Sequence, residues 1–242
     1  MLEVRADDIL PRAAPLHCVA DVSDEALAAR ILTLAPWMPN LRIVERRAQL
    51  LAVVADDRPD LVLLGEGAEA EAFDLLGRHI RTERIGVALF HGADAAMARA
   101  GTRPMGESPL LAIEAIDPAA SVTEIVLRLR SLVRRSRPLA LSQRRTIGGI
   151  TLDEAALTLT IDGASTPVGL DGYRLIGPMF DLPDHVWRAE ELHSVAYGAL
   201  ARTSVDTVRV ALSRTRRKLA GKLGRDPVRT LRGKGYQLAF LP

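Results

Sequence analysis

Eleven Lys and Arg side chains against two acids crowd residues 199–242, a net charge of +9 in a chain of 242 residues whose total is only +2. Within that stretch, Val205–Leu223 (VDTVRVALSRTRRKLAGKL) places Val208, Leu212, Thr215 and Leu219 at i, i+4, i+7 and i+11, one face of an α-helix. The remaining surface carries Arg209, Ser213, Arg214, Arg216, Arg217 and Lys218. A helix of this kind fits the major groove of B-form DNA, where an Arg can pair bidentately with guanine O6 and N7. Further cations on the same face suit phosphates. A charge run is more often a solvated helix face, but such a face usually intersperses Glu for i,i+4 pairing, and acids are nearly absent here. Downstream, Thr230–Tyr236 (TLRGKGY) reads as a tight hairpin whose tip projects Arg232 and Lys234. A cationic tip beside a groove-binding helix suits the narrow minor groove. Tyr236 and Leu238, two apart, are expected to face the core.

The elements that must position these groups follow from pattern. Thr146–Thr151, Leu157–Ile161 and Pro167–Leu170 are short strand candidates, with turns at Gly148-Gly149 and Asp162-Gly163, and antiparallel pairing is the simple reading. Helical segments are expected near 172–182, 189–197 and 204–223, ahead of the terminal hairpin. The segment Arg134–Arg145 mixes charge, Pro138 and Ser as linkers do, dividing the chain into 1–136 and 137–242. The first part alternates apolar runs with helical patterns. Strands are expected at 16–20, 41–44, 61–64, 85–90 and 110–116, and helices at 24–34, 48–55, 68–81, 93–100 and 121–133. Repeated β-α units of this kind imply a doubly wound parallel sheet covered by helices on both faces.

The C-terminal half resembles the effector domain of the OmpR/PhoB family of two-component response regulators. Tyr173-Arg174-Leu175-Ile176, Glu190-Glu191-Leu192, Tyr197-Gly198, Ser213–Leu219 (SRTRRKL) and above all Arg229–Tyr236 (RTLRGKGY) carry the likeness. The resemblance implies an α+β winged helix-turn-helix that binds double-stranded DNA at direct repeats, with one helix in the major groove and a wing in the minor groove. It further implies that Arg214, then Arg209 and Thr207, read bases. Arg216, Arg217 and Thr230 would touch phosphates, and Arg232 would be the wing residue. The loop Gly198–Thr203 would touch RNA polymerase. The chain departs from the family at Gly172, Gly177 and Pro178, where helix formers are usual, and at Thr215, where Leu is usual. An interior proline costs about 3 kcal/mol, so Pro178 is expected to kink or shorten its helix.

The N-terminal half resembles the family's receiver domain, through its strand order and Asp57–Leu64 (DRPDLVLL). A working receiver needs an acidic pair for Mg²⁺, an Asp acceptor after the third strand, a Thr or Ser after the fourth and a Lys after the fifth. At those positions this chain has Asp21 followed by Val22, Gly65 (with Glu66 out of register), His91 and Asp117. One observation is independent of register: the only lysines are Lys218, Lys222 and Lys234, so no switch lysine exists in this half. An acyl phosphate would lack its stabilising cations. The expectation is a degenerate receiver that does not work by phosphorylation. Homodimerisation through it is one role, with Val122, Ile125, Leu127, Leu129 and Val133 among Arg128, Arg130, Arg134 and Arg135 offered on the last helix, although the same apolar positions suit core. Control of the DNA-binding half by a protein or small-ligand partner is the other.

Other chemistries find no support. His17, His79, His91, His185 and His193 form no i,i+4 metal pair, no phosphate-cradling loop or nucleophile elbow is present, and no cofactor or enzymatic activity is expected. Cys18 lies alone in an apolar strand, which suits a core residue in a reducing compartment. No apolar run reaches the roughly 18 residues of a membrane span, and the N-terminus lacks a signal-peptide pattern. The expected location is therefore the bacterial cytoplasm, at the nucleoid.

Overall fold

The computed structural model describes residues 17–22, 25–38, 40–65, 84–90, 113–137, 144–198, 201 and 203–239. The expected helices 68–81 and 93–100, and His79, His91 and Glu66, lie outside them. The chain forms two compact units, one of residues 1–140 with 198–201 and the other of 141–197 with 202–242.

In the first unit the described elements are β1 (His17–Asp21), α1 (Glu25–Leu34), a 3-10 turn (Ala35–Trp37), β2 (Asn40–Val44), α2 (Arg47–Asp57), β3 (Leu61–Leu64), β4 (Gly86–Phe90), β5 (Ile113–Ile116) and α3 (Val122–Ser136). The strands form one parallel sheet in the order β2-β1-β3-β4-β5, a doubly wound receiver-like arrangement. Every residue of β3 and β4 is buried, which is why they read as uninterrupted apolar runs. Asp60 aligns the strand starts: its carboxylate accepts from the His17 N–H at 3.0 Å, and its carbonyl from Gly86 N–H at 2.9 Å. Helix α3 opens on a Ser121 cap whose Oγ accepts from the Glu124 N–H. It carries Glu124 in its first turn and Arg134 and Arg135 in its last, as the helix dipole favours.

That helix corrects one expectation. Ile125, Leu127, Leu129 and Val133 are all buried, and so are Arg130, Arg134 and Arg135. Four of the five apolar positions offered for pairing are therefore buried, and Val122 is half-buried. Part of the reason is Glu114, a carboxylate inside β5 that takes Arg128 Nη1 at 2.9 Å and also pairs with Arg135. A buried acid of this kind draws guanidinium groups inward.

The second unit contains an antiparallel sheet of β6 (Arg144–Ile147), β7 (Ile150–Asp153), β8 (Thr158–Ile161) and β9 (Ala164–Pro167) in sequential order. Three helices follow, α4 (Leu170–Asp181), α5 (Ala189–Tyr197) and α6 (Val205–Leu223), then the hairpin β10 (Val228–Leu231) and β11 (Gly235–Leu238). This is a winged helix. Gly148-Gly149 and Asp162-Gly163 make the two turns, all four residues at positive φ. The expected strand Pro167–Leu170 is not one: β9 ends at Pro167, and Leu170 begins α4, because Gly169 (φ 75) turns the chain. Pro178 neither ends nor shortens α4. It stands in the last turn, where the bond it removes is the one to the Arg174 carbonyl, and the helix runs on to Asp181. A buried triad pins α4 to the sheet. Arg145 reaches Asp181 at 2.6 Å and Glu154 at 2.8 Å, while the Tyr173 hydroxyl donates to Glu154 at 3.2 Å.

Candidate nucleic-acid interface

Helix α6 buries Val208, Leu212, Leu219 and Leu223. Thr215 completes that stripe for a reason the sequence concealed. A Cβ at Gly172 of α4 would stand 2.9 Å from the Thr215 methyl. Thr215 and Gly172, two separate departures from the family pattern, are thus one fitted pair: the missing side chain makes room for the branched one. The outer surface of α6 presents Arg209, Val210, Ser213, Arg214, Arg217 and Lys218, all exposed, with Thr207 half-buried. Gly224, left-handed at φ 71, ends the helix.

The cations fall into two groups. Arg214, Arg217, Lys218, Arg232 and Lys234 have no acidic partner among the described residues. Arg209 and Arg216 are held. Arg209 meets Asp206 at 2.6 Å and Glu190 at 3.8 Å. Arg216 meets Asp226 at 2.8 Å through Nη2 and 2.9 Å through Nε, and donates to the Thr230 hydroxyl at 2.6 Å. The sequence grouped Arg216 and Thr230 as separate phosphate contacts. In the structure they are bonded to each other.

The hairpin is short and closed by Lys234 N–H on the Leu231 carbonyl at 2.9 Å, with Arg232, Gly233 and Lys234 exposed at its tip. It gains a third strand-like partner. Trp187 and Tyr236 exchange two backbone hydrogen bonds of 2.8 and 2.9 Å. Gly235 permits this approach: its φ is 145, and a Cβ there would overlap the Trp187 carbonyl oxygen and stand 2.8 Å from the carbonyl carbon. Leu238 is buried as expected, but Tyr236 is only half-buried, and Gln237 between them is buried as well. The Gln237 amide is paired where it is buried: it donates to the Asp184 carbonyl at 2.8 Å and its oxygen accepts from Arg229 at 2.7 Å. A cleft of about 680 Å³ opens between α5, α6 and the hairpin, lined by Arg188, Glu190, Arg209, Thr230, Lys234 and Tyr236 among others.

Sequence reasoning missed Val210, Arg188 and Asp226. Val210 had a signal: it lies off the buried stripe of α6, and it is 49% exposed. Arg188 and Asp226 lie outside the helix stripe and the hairpin motif from which the site was read.

In the first unit, the C-terminal edge of the sheet brings Asp21 and Gly65 together, since Asp21 pairs in register with Leu64. Both are buried. Asp117 follows β5, is exposed, and caps its own turn by accepting from the Ala119 N–H at 2.8 Å. His91 lies outside the described residues. Among the described residues, no cluster of three His, Cys, Asp or Glu could hold a metal. Cys18 is buried in β1, and desolvation, then the nearby Asp60 charge, push its thiol pKa up to about 12. No helix among the described residues is long and apolar enough to cross a membrane.

No family model matches the chain. It is similar to the phosphate regulon transcriptional regulatory protein PhoB of Pseudomonas aeruginosa, 26% identical over 225 residues, 90% of this chain and 95% of that one. The PhoB of Rhizobium meliloti is 28% identical over 118 residues, 49% of this chain and 52% of that one. The response regulator ArlR of Staphylococcus aureus is 25% identical over 115 residues, 48% and 51% of the two chains. Among solved structures, a mutant of RitR covers 93% of this chain and 99% of its own at 19% identity and a TM-score of 0.42. The DNA-binding domain of the response regulator AdeR, solved with an intercistronic region, covers 40% of this chain and 100% of its own at 24% identity and a TM-score of 0.34.

Proposed function

We infer that this chain, a response regulator of OmpR/PhoB type by its similarity to PhoB and ArlR, is a DNA-binding transcription regulator that acts without phosphorylation. The observation that carries the DNA reading is the array of exposed, acid-free cations on α6 beside a cationic hairpin tip. In this reading α6 enters the major groove. Arg214 reads a guanine, and Thr207 and Arg209 flank it once Arg209 exchanges its acids for DNA. Val210, apolar and exposed between them, suits a thymine methyl. Arg217 and Lys218 hold phosphates. Arg232 and Lys234 enter the minor groove. Direct-repeat operators, contact of the loop 198–203 with RNA polymerase, pairing of two copies through the first unit and a place at the cytoplasmic nucleoid belong to the same proposal. Ile125, Leu127, Leu129 and Val133 of α3 are buried and do not supply the pairing surface.

Phosphorylation independence rests on composition and position. The acceptor site holds Gly65, the position after β5 holds the exposed Asp117, and no lysine precedes Lys218. Without a switch lysine, an acyl phosphate there would lack its usual stabilising cation. A second reading is favoured by the same facts: a formed five-stranded sheet without phosphoryl chemistry is free to take its input from a protein or small-ligand partner that gates the DNA-binding unit.

Two substitutions test the DNA reading. Arg214→Ala should relax base preference at a cost of roughly 1–3 kcal/mol. Arg217→Ala should weaken all sequences alike and flatten the log–log salt dependence by about 0.9. Equal salt slopes for wild type and Arg217→Ala would remove the phosphate assignment. Aspartyl phosphorylation by a small phosphodonor, detected by mass spectrometry, would refute phosphorylation independence.

A further inference from the structure

The Arg216 guanidinium sits where a phosphate ligand was expected, yet three of its five N–H donors are already engaged within the protein. Nε and Nη2 grip Asp226 at 2.9 and 2.8 Å, and Nη1 donates to the Thr230 hydroxyl at 2.6 Å. Asp226 is engaged on its other side as well, its Oδ1 accepting from the Val228 N–H at 2.9 Å where β10 begins. The assembly therefore ties the middle of α6 to the first strand of the hairpin by a charge-assisted contact in which two Arg216 donors converge on one Asp226 oxygen, Oδ2. Side-chain exposure of 24% for Arg216 and 35% for Asp226 leaves the contact at the edge of the surface, not free in solvent.

We propose that Asp226 is a positioning residue for DNA binding: through Arg216 and Thr230 it sets the spacing between the major-groove helix and the minor-groove hairpin. This rests on the DNA reading above and revises it. Arg216 is a bracket and not a phosphate ligand, and an acid next to the DNA surface is there to strengthen binding. That consequence runs against simple electrostatics, in which removing an acid from a DNA-facing surface tightens the complex.

The test uses the full chain and the DNA that the wild type selects from a random pool. Affinity is measured against salt, and dimethyl sulfate footprints report guanine N7 in the major groove and adenine N3 in the minor groove. Asp226→Asn should weaken binding roughly five- to tenfold, the scale of a lost charge-assisted contact. It should lose adenine N3 protection under the hairpin while guanine N7 protection under α6 stays. Arg216→Lys, which keeps the charge and loses the converging donors, should behave the same way. Arg216→Ala should leave the salt slope unchanged. Binding by Asp226→Asn that equals or exceeds wild type with a full minor-groove footprint overturns the proposal, and so does a slope flattened by about 0.9 in Arg216→Ala. If Asp226→Asn does not fold, Thr230→Val removes only one hydroxyl bond, and an unaltered minor-groove footprint from it overturns the proposal equally. A wild type that binds while its variants match it sinks the bracket alone. A wild type that selects no DNA sinks the DNA reading and the bracket with it.

Discussion

Replacing Gly235 with Ala is the sharpest test of how the hairpin is held. The residue sits at φ 145, outside the range of L side chains, and its new methyl would overlap the Trp187 carbonyl oxygen. Relief requires a backbone shift large enough to break the two hydrogen bonds between Trp187 and Tyr236. Each such bond contributes about 0.5–1.5 kcal/mol net, and an enforced backbone conformation of this kind costs about 1–3 kcal/mol. The expected destabilisation is therefore about 2–6 kcal/mol, which in a unit of this size lowers the Tm by at least roughly 10 °C. Gly233→Ala is the control. Gly233 is also left-handed, at φ 69, but nothing lies within 4 Å of its would-be Cβ, so only the conformational cost of about 1–2 kcal/mol applies. Thermal melting of the full chain, followed by circular dichroism and tryptophan emission, separates the two. If Gly235→Ala melts no lower than Gly233→Ala, the close approach of Trp187 does not hold the hairpin and the reasoning fails.

Three further outcomes follow from buried groups. Arg145→Ala strands the carboxylates of Glu154 and Asp181 without their cation, and should destabilise the second unit by about 3–5 kcal/mol in denaturant titration; a loss under 1 kcal/mol would mean that solvent reaches the triad. Cys18, with its thiol pKa raised to about 12, should resist alkylation at pH 8 in the folded chain and react only on unfolding. Because that pKa is raised from an ordinary value of 9.0, folding loses stability as pH climbs from about 9 towards 12, and a melting series that is flat across this window would contradict the burial. Gly172→Ala, which drives a methyl into Thr215, should be destabilising alone and partly rescued by Thr215→Ser, so additive effects in a double-mutant cycle would dissolve the pairing.

Much of this was legible in the sequence because it was local. The stripe Val208, Leu212, Thr215, Leu219 announced α6, and the RTLRGKGY run announced the hairpin. The strands β3 and β4 declared themselves as short apolar runs because a parallel sheet buries both faces. What stayed hidden depends on contacts between distant residues. Arg216 looked like one more free cation until Asp226 and Thr230 were placed beside it. Gly235 looked like a turn residue, but it serves an approach to Trp187, 48 positions earlier. Gln237, on the face opposite to Tyr236, is buried because its amide donates to the carbonyl of Asp184. On α3, periodicity separated apolar from charged positions correctly but could not foresee that Glu114 would help draw the arginines inside.

The central claim is that the chain binds a defined DNA sequence in its unmodified state. The most direct measurement is selection from a random duplex pool with the untreated 242-residue chain, followed by sequencing of the bound fraction. The account predicts enrichment of one motif, repeated head to tail at a fixed spacing, at the same level with and without a small phosphodonor. A bound fraction with no enriched motif, or one enriched only after phosphodonor treatment, would contradict it.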